Sequence, residues 1–190
     1  MIRLIAQTPE SWAETVLEDF DSFLNDHAAA EKKASGMAMS MALHFRDKER
    51  LVSEMIDLAI EELTHFRECV RILQERGLQL LPDKKDEYVN EMRTQIRDGK
   101  ESGLLDRLLT GGIIEARGVE RFGIVALALP EGDLKIFYEA ITRSEERHNA
   151  LFLDLAREYF PDAEVQERLQ YLLEFEAELA TRLPVRPALH

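Results

Sequence analysis

The chain has 190 residues, of which 45% are apolar, and it carries 37 acidic against 24 basic side chains, a formal net charge of −13. This length and apolar fraction fit one globular domain and exclude an intrinsically disordered chain. The single cysteine excludes an internal disulfide, a zinc finger and an iron–sulfur cluster, because each of these needs several thiolates. The negative charge disfavours unspecific binding to a phosphate backbone.

The N-terminal sequence lacks the pattern of a secretory signal. Its short apolar run is interrupted at residues 7–10, Gln-Thr-Pro-Glu. The chain also has no run of roughly eighteen apolar residues, the length that a membrane-spanning helix needs. We therefore expect a cytoplasmic protein without a membrane partner.

Glycine and proline occur mainly where helices are expected to begin or end. Residues 8–10, Thr-Pro-Glu, supply an N-cap hydroxyl and a proline for the start of a first helix over about 10–43. Asp47 is a candidate cap for a second helix over about 48–76, and Gly77 offers a left-handed stop. Two long neighbouring helices joined by a short turn are predicted.

The rest of the chain continues the helical pattern. After Pro82, a short polar helix is predicted over about 84–97. Two further long helices are predicted over about 102–129 and 134–159, and a last helix over about 163–182. No segment has the two-residue alternation typical of strands, so the predicted class is all-α.

The lengths of the connections predict the architecture. Long helices joined by short turns favour antiparallel neighbours in a four-helix bundle. Between the two pairs lies a long crossover that carries the short helix, and the last helix is additional to the bundle. We expect residues 1–190 to form one domain.

Each of the four long helices carries a glutamate on its apolar stripe, and two of these glutamates have a histidine three residues later on the same face. A buried unpaired carboxylate costs several kcal/mol, so four such acids require cations, and two divalent metal ions would neutralise them. The residues are Glu31, Glu62 with His65, Glu115, and Glu145 with His148.

The two helix pairs repeat this arrangement. Glu62 follows Glu31 by 31 residues, and Glu145 follows Glu115 by 30. One Glu from each of two helices plus a Glu-x-x-His from each of the other two is the ligand set of di-iron and di-manganese carboxylate bundles. Carboxylate oxygens with one imidazole per metal suit iron or manganese better than zinc.

Some assignments have alternatives. Glu120 lies on a second apolar stripe and competes with Glu115, which the helical spacing favours. His27 precedes the first of these glutamates by one turn and could point at the metals, but a core histidine bonded to a neighbour is the commoner case. Glu61 and Glu146, each beside a proposed ligand, could support the site from outside.

Four glycines interrupt the third long helix, and each costs up to about 1 kcal/mol relative to alanine. They could open space beside the metals for oxygen and a substrate group, or they could permit close helix packing. These residues are Gly111, Gly112, Gly118 and Gly123.

Four short sequence motifs indicate a resemblance to known proteins. They are HAAAEKKA at 27–34, EELTHF at 61–66, IEARGVERF at 114–122 and SEERH at 144–148. On these strings, the chain resembles the ferritin-like superfamily and, more closely, the tRNA-(2-methylthio-N6-isopentenyladenosine) hydroxylase family. The likeness covers nearly the whole chain.

The resemblance implies an O2-dependent monooxygenase that hydroxylates the isopentenyl side chain of a hypermodified adenosine next to the anticodon of tRNA. It implies a non-haem centre of two iron ions held by the four glutamates and two histidines, with Glu62 or Glu115 as a candidate bridge. Electrons would come from a separate reductase or ferredoxin, and we expect a monomer.

Binding of tRNA to an acidic protein requires a local basic surface. Several cationic side chains lie on and before the third and fourth long helices, and they could form such a patch around the site entrance. Alternatively, they lie on a solvated helix face and pair with neighbouring acids. The candidate substrate-binding residues are Arg97, Lys100, Arg117, Arg121, Arg143 and Arg147. Two rival functions are a ferroxidase or iron-storage relative and a metal-free helical interaction module.

Overall fold

The computed structural model describes residues 1–190 and contains seven α-helices and no β-strand. The helices are α1 (Glu10–Glu18), α2 (Phe20–His44), α3 (Glu49–Glu75), α4 (Glu87–Thr94), α5 (Lys100–Ala128), α6 (Asp133–Tyr159) and α7 (Asp162–Arg182). The predicted all-α class is confirmed. None of these helices combines the length and hydrophobicity that a membrane-spanning segment needs.

The first predicted helix, over about 10–43, is broken near its beginning. Asp19 leaves the helical conformation, with φ −135° and ψ 60°, and its carboxylate accepts a hydrogen bond from the backbone N–H of Ser22 at 3.2 Å. An aspartate that caps a new helix thus interrupts the apolar periodicity. In the short α1, Val16 is buried while Leu17 is 44% exposed, so the apolar stripe expected to run from Leu17 to Glu31 and beyond on one continuous helix does not begin at Leu17.

The end of α3 follows the expected glycine signal, whereas its start does not, because Lys48 and not Asp47 is the N-cap. Gly77 takes the left-handed conformation, with φ 75°. Its N–H donates to the carbonyl of Gln74, and the N–H of Leu78 donates to that of Leu73, both at 2.9 Å. This pair of bonds closes the end of α3, which is why a glycine is needed there. Helix α4 is shorter than the predicted 84–97.

The structure divides into two compact units. One comprises residues 1–14, 86–185 and 190, and the other comprises residues 15–85 and 186–189. The second unit is built on the α2–α3 hairpin, within which the buried Ser35 hydroxyl donates to the carbonyl of Ala59 at 2.9 Å. That the whole chain forms one domain stays a prediction.

The first unit is built on the α5–α6 hairpin, and two glycines allow its helices to pack closely. A Cβ atom at Gly111 would lie 2.9 Å from the Phe152 ring, and one at Gly112 would lie 3.1 Å from the Cβ of Phe152 and 2.7 Å from Ile2. These two glycines therefore serve close packing, one of the two roles the sequence left open. The chain start is fixed to α6, because the N–H of Ile2 donates to the Asn149 amide oxygen at 2.6 Å.

Candidate metal centre

The α2–α3 hairpin brings together three of the predicted ligands, which we call the α2–α3 cluster: Glu31, Glu62 and His65. Their ligand atoms all lie within 4.8 Å of one another. The Nδ1 atom of His65 is 3.3 Å from Glu62 Oε2 and 3.6 Å from Glu31 Oε2. Glu31 and Glu62 are 4% and 1% exposed. Two carboxylates and one imidazole thus meet in a buried place, as their positions on the helical stripes predicted.

The electrostatics of this cluster favour a cation. Burial alone would raise the pKa of Glu31, but hydrogen bonds with Glu62, His27 and His65 outweigh it and hold the pKa well below its ordinary value. Burial would lower the pKa of His65, whereas its bonds to the two carboxylates raise it to about 10. Without a metal, the cluster therefore holds a proton on His65, and a metal ion that binds this imidazole must displace that proton.

The α5–α6 hairpin brings together the other three predicted ligands, the α5–α6 cluster: Glu115, Glu145 and His148. Their ligand atoms also lie within 4.8 Å of one another, and His148 Nδ1 is 3.3 Å from Glu145 Oε2. All three are buried, with exposures of 7% or less. Gly118 lies beside this cluster, because a Cβ atom there would contact Glu145 Cγ at 3.9 Å.

The competition between Glu115 and Glu120 is decided by their partners. Glu120 accepts hydrogen bonds from the Thr8 backbone N–H at 2.9 Å and from the Thr8 hydroxyl at 2.6 Å, and it pairs with the Arg117 guanidinium. Its carboxylate is thereby engaged with the N-terminal segment. Glu115 instead lies among the ligand atoms of α6, as the spacing favoured.

The donor sets of the two clusters fit hard divalent metals. Each cluster supplies two carboxylates and one imidazole, without a thiolate. Such oxygen-rich sets suit iron or manganese, whereas structural zinc sites favour thiolates and several imidazoles. The burial of these acids is also costly without positive charge. The residues present therefore fit the metal centre that the ligand pattern predicted.

A further buried histidine supports the α2–α3 cluster. His27 Nε2 lies 2.6 Å from Glu31 Oε1, and His27 Nδ1 lies 3.4 Å from the sulfur of Cys69. Sequence reasoning placed His27 on the inward stripe and weighed a bond to a neighbour, but it did not identify Glu31 as that neighbour. The four-residue spacing on one helix face was the available signal.

Two of the predicted basic residues are engaged inside the protein. Arg117 is 1% exposed, and its guanidinium donates to Glu176 Oε1 at 2.6 Å. Arg121 packs over the Trp12 indole, 5.1 Å from the ring centroid. Burial and the positive charge of Arg117 lower the pKa of Arg121 to about 10. A fully buried ion pair is not available to a polyanion, so the expectation that Arg117 belongs to a surface patch is corrected.

The remaining predicted basic residues are exposed. Arg97 donates to both carboxylate oxygens of the buried Asp106 at 2.9 Å, although 43% of its side chain is accessible. Lys100 begins α5 at the surface. Arg143 and Arg147 lie on the exposed side of α6, and Arg147 donates to the Arg143 carbonyl at 3.0 Å. These four side chains remain accessible for an anionic partner.

The chain is similar in sequence to two named enzymes along most of its length. It is 34% identical over 172 residues to the tRNA 2-(methylsulfanyl)-N(6)-isopentenyladenosine(37) hydroxylase of Pseudomonas putida. The aligned region covers 90% of this chain and 83% of the relative. It is 33% identical over 154 residues to the protein of the same name from Salmonella typhimurium, where 81% of this chain matches 56% of the relative.

A solved structure and a family model extend this likeness. "Protein 43 with aldehyde deformylating oxygenase activity" from Synechococcus superposes with a TM-score of 0.92 and 32% identity, covering 98% of this chain and 93% of that one. This match confirms the predicted ferritin-like fold class. The model of the tRNA-(MS[2]IO[6]A)-hydroxylase (MiaE) family matches residues 2–190. The chain therefore belongs to the tRNA-(MS[2]IO[6]A)-hydroxylase family.

Proposed function

We propose that this protein is an O2-dependent tRNA hydroxylase that acts on the isopentenyl side chain of 2-methylthio-N6-isopentenyladenosine next to the anticodon. The observation that carries the proposal is the double cluster: a chain matched by the hydroxylase family over residues 2–190 holds two buried sets of two carboxylates and one imidazole. The same activity is printed for the two curated relatives.

The two clusters together are proposed to bind two iron ions. The ligands would be those predicted from the sequence: Glu31, Glu62, His65, Glu115, Glu145 and His148. Four carboxylates balance the charge of two divalent ions, which removes the cost of burying the acids. When bound, such a non-haem di-iron centre supplies the oxygen chemistry that amino-acid side chains lack.

The side chains of the protein hold and shield this centre. Burial of both clusters limits the access of water, which would otherwise compete with the substrate at a reactive site. At Gly111 and Gly112 the helices α5 and α6 pack closely, which leaves little space between them. We therefore assign the protein the tasks of placing the metals and keeping their surroundings dry.

The proposed tRNA contacts are the exposed cations among the predicted set. Arg143 and Arg147 flank the α6 ligands in sequence and are accessible, and Arg97 and Lys100 lie at or before the start of α5. Specific RNA readers commonly bind single-stranded loops. A few cations suit such a loop, since the net charge of −13 opposes a long phosphate-binding groove.

A direct assay tests the function. Iron-reconstituted protein is incubated with an anticodon stem-loop carrying the isopentenyl nucleoside, 18O2 and a chemical reductant, and the nucleosides are analysed by mass spectrometry. We expect the nucleoside to gain one 18O atom and the protein to hold two irons per chain. Glu62→Ala and His148→Ala should lose both, whereas the exposed Glu146→Ala should keep both. Unmodified nucleoside with the iron-loaded wild type would refute the proposal.

An aldehyde oxygenase is a second candidate, because the Synechococcus structure with that described activity superposes almost completely. The same iron-loaded protein should therefore be supplied with a long-chain aldehyde instead of the stem-loop. Formation of a hydrocarbon one carbon shorter, without hydroxylation of the nucleoside, would favour this candidate. Under our proposal, the protein hydroxylates the nucleoside and forms no hydrocarbon from the aldehyde.

The two rivals from the sequence are tested by simpler measurements. A ferroxidase or iron-storage protein would form a large hollow oligomer, whereas we propose a monomer, so size-exclusion chromatography separates these cases. A metal-free interaction module would bind less than about one iron per chain after anaerobic reconstitution, half of what two three-ligand clusters should hold.

The proposal also includes an external electron donor. The sequence has one cysteine and therefore no iron–sulfur cluster of its own. A reductase or ferredoxin would supply the electrons that reduce O2. Because tRNA is the proposed substrate, the proposed place of action is the cytoplasm.

A further inference from the structure

We propose that the buried carboxylate of Asp106 holds Arg97 and Arg168 in fixed positions as a contact site for RNA, with the Tyr171 ring beside them for the stacking of a base. We call these four residues the Asp106 site. It lies on α5, on α7 and on the segment before α5. The identity of the ligand, tRNA, rests on the proposed function, and the site adds three residues to the contacts assigned above.

Asp106 is the centre of the site. It is 0% exposed. Its two oxygens accept hydrogen bonds from the backbone N–H, Nε and Nη2 of Arg97 at 2.8–2.9 Å, and from Nε and Nη2 of Arg168 at 2.7 and 3.0 Å. Burial would raise the pKa of this carboxyl, but the bonds from the two arginines outweigh burial and lower the pKa. Asp106 is therefore ionised, and it fixes both guanidinium groups.

Both arginines keep a nitrogen for a further partner. Each of them binds Asp106 through Nε and Nη2, and neither Nη1 atom makes a hydrogen bond within the protein. The Arg97 side chain is 43% accessible and that of Arg168 is 15% accessible. One carboxylate balances only one of the two cations, and the exposed Glu164 acts on Arg97 only through its charge. Fixed, outward N–H donors with a surplus of positive charge suit a phosphate oxygen.

The Tyr171 ring is held beside this arginine pair. The guanidinium carbon of Arg168 lies 4.6 Å from the ring centroid, and the Tyr171 hydroxyl donates to Gln95 Oε1 at 3.0 Å. Arg168 Nη2 also donates to the Gln95 carbonyl at 2.5 Å. The ring is 49% exposed, so much of it remains accessible to a base. Proteins that bind single-stranded RNA commonly combine an aromatic platform for a base with cations for the backbone.

The place of the site along α5 suits the proposed substrate. Asp106 precedes the metal-ligand candidate Glu115 by nine residues, which is about 14 Å along a helix. A loop whose modified nucleoside lies at the α5–α6 cluster can place a flanking nucleotide at this distance. Because the donors are already held in position, they lose little freedom when RNA binds. A few such contacts can therefore serve an acidic protein.

The site is tested by binding of a fluorescein-labelled anticodon stem-loop to the metal-free protein, followed by fluorescence anisotropy at several salt concentrations. Arg97→Ala should raise the dissociation constant by about tenfold, and it should reduce the salt dependence of binding by about one phosphate contact. Arg71→Ala removes the same charge from an exposed ion pair on α3 and is the matched control, which should change little. Equal effects of the two changes, or a wild type that does not bind, would overturn the proposal.

Two further variants separate positioning from charge. Asp106→Asn removes a negative charge, which by itself would strengthen binding to RNA, but it releases the two guanidinium groups and should weaken binding by about tenfold. Arg97→Lys keeps the charge but lacks the planar fork, so it should lose most of the affinity as well. Circular dichroism establishes that each variant is folded. Stronger binding by Asp106→Asn, or wild-type affinity in Arg97→Lys, contradicts the positioning role, and the lysine variant decides if the asparagine variant does not fold.

The ring and the proposed function are tested separately. Tyr171→Ala should raise the dissociation constant by about tenfold, whereas Tyr171→Phe keeps the ring and should bind nearly as the wild type does. Unchanged affinity in the alanine variant would remove the ring from the site. If the variants behave as expected but the iron-loaded protein does not hydroxylate the nucleoside, the proposed function fails and the RNA site stands. Hydroxylation with unchanged binding in all variants refutes the site alone.

Discussion

The α2–α3 and α5–α6 clusters contain the same set of two glutamates and one histidine, but the protein supports them differently. In the α2–α3 cluster, a side-chain hydrogen bond from the buried His27 holds Glu31. In the α5–α6 hairpin, glycines bring two backbones together, and a buried ion pair between Arg117 of α5 and Glu176 of α7 holds α5. One ligand set can therefore be supported by hydrogen bonding or by close backbone packing.

Removal of a ligand should break both clusters to the same extent. Glu62→Ala and Glu145→Ala each delete a buried carboxylate, and each should reduce nucleoside hydroxylation at least ~100-fold, since loss of outer-shell partners alone costs 10–100-fold. The measurement is hydroxylated nucleoside per iron-reconstituted chain. Retention of activity in only one variant would show that the corresponding cluster is not part of the site.

The buried ion pair should matter greatly to the α5–α6 hairpin. Glu176→Ala leaves the Arg117 guanidinium buried with the loss of its 2.6 Å partner, and should lower the free energy of unfolding by about 3 kcal/mol. Urea denaturation of the metal-free protein measures this. Lys32→Ala, which breaks the half-exposed pair with Asp83, is the control and should have little effect. Equal effects of the two changes would contradict this reading of the pair.

Glycine substitutions should change the stability of the protein in opposite directions in the two hairpins. Gly111→Val places its side chain against the Phe152 ring and should destabilise the protein by about 1–3 kcal/mol. Gly36 in α2 has no atom within 4 Å of an added Cβ, so Gly36→Ala should stabilise the protein by up to about 1 kcal/mol through helix propensity. Thermal unfolding monitored by circular dichroism gives both values. A stabilising Gly111→Val would disprove the close packing in α5–α6.

The stability of the α2–α3 cluster should also depend on pH. The pKa of His65 is raised from 6.5 to about 10, so its protonated form stabilises the metal-free protein. That contribution is complete below pH 6.5 and is lost as the pH rises toward 10. His65→Gln should flatten the corresponding part of the curve of unfolding free energy against pH. The affinity for iron should instead increase as the pH rises, because the metal displaces the proton from His65.

Helical periodicity predicted most of what concerns the ligands. It placed Glu31, Glu62, Glu115, Glu145 and both histidines on inward faces, and the structure buries the acids and brings each hairpin's three residues together. This worked because a position on a helix face depends on residue spacing, which is local information. Their role as metal ligands stays a proposal.

The same periodicity failed where a local capping interaction or a distant partner was decisive. The helical pattern ran through Asp19, whose side chain instead caps α2. Arg117 was expected in a basic surface patch for tRNA, but Glu176, 59 residues away along the chain, compensates its charge inside the protein. A pairing between positions so far apart leaves no periodic signal.

The amino-acid sequence alone determined the helical class, the approximate helix bounds and the two Glu-x-x-His motifs, because these depend on spacing and local composition; the family followed from the resemblance of four local strings to known relatives. Only the tertiary structure decided between Glu115 and Glu120, assigned Gly111 and Gly112 to close packing, buried Arg117 and placed His27 between Cys69 and Glu31. Those outcomes depend on which side chains meet across helices, and distances across helices are set by packing rather than by the order of residues.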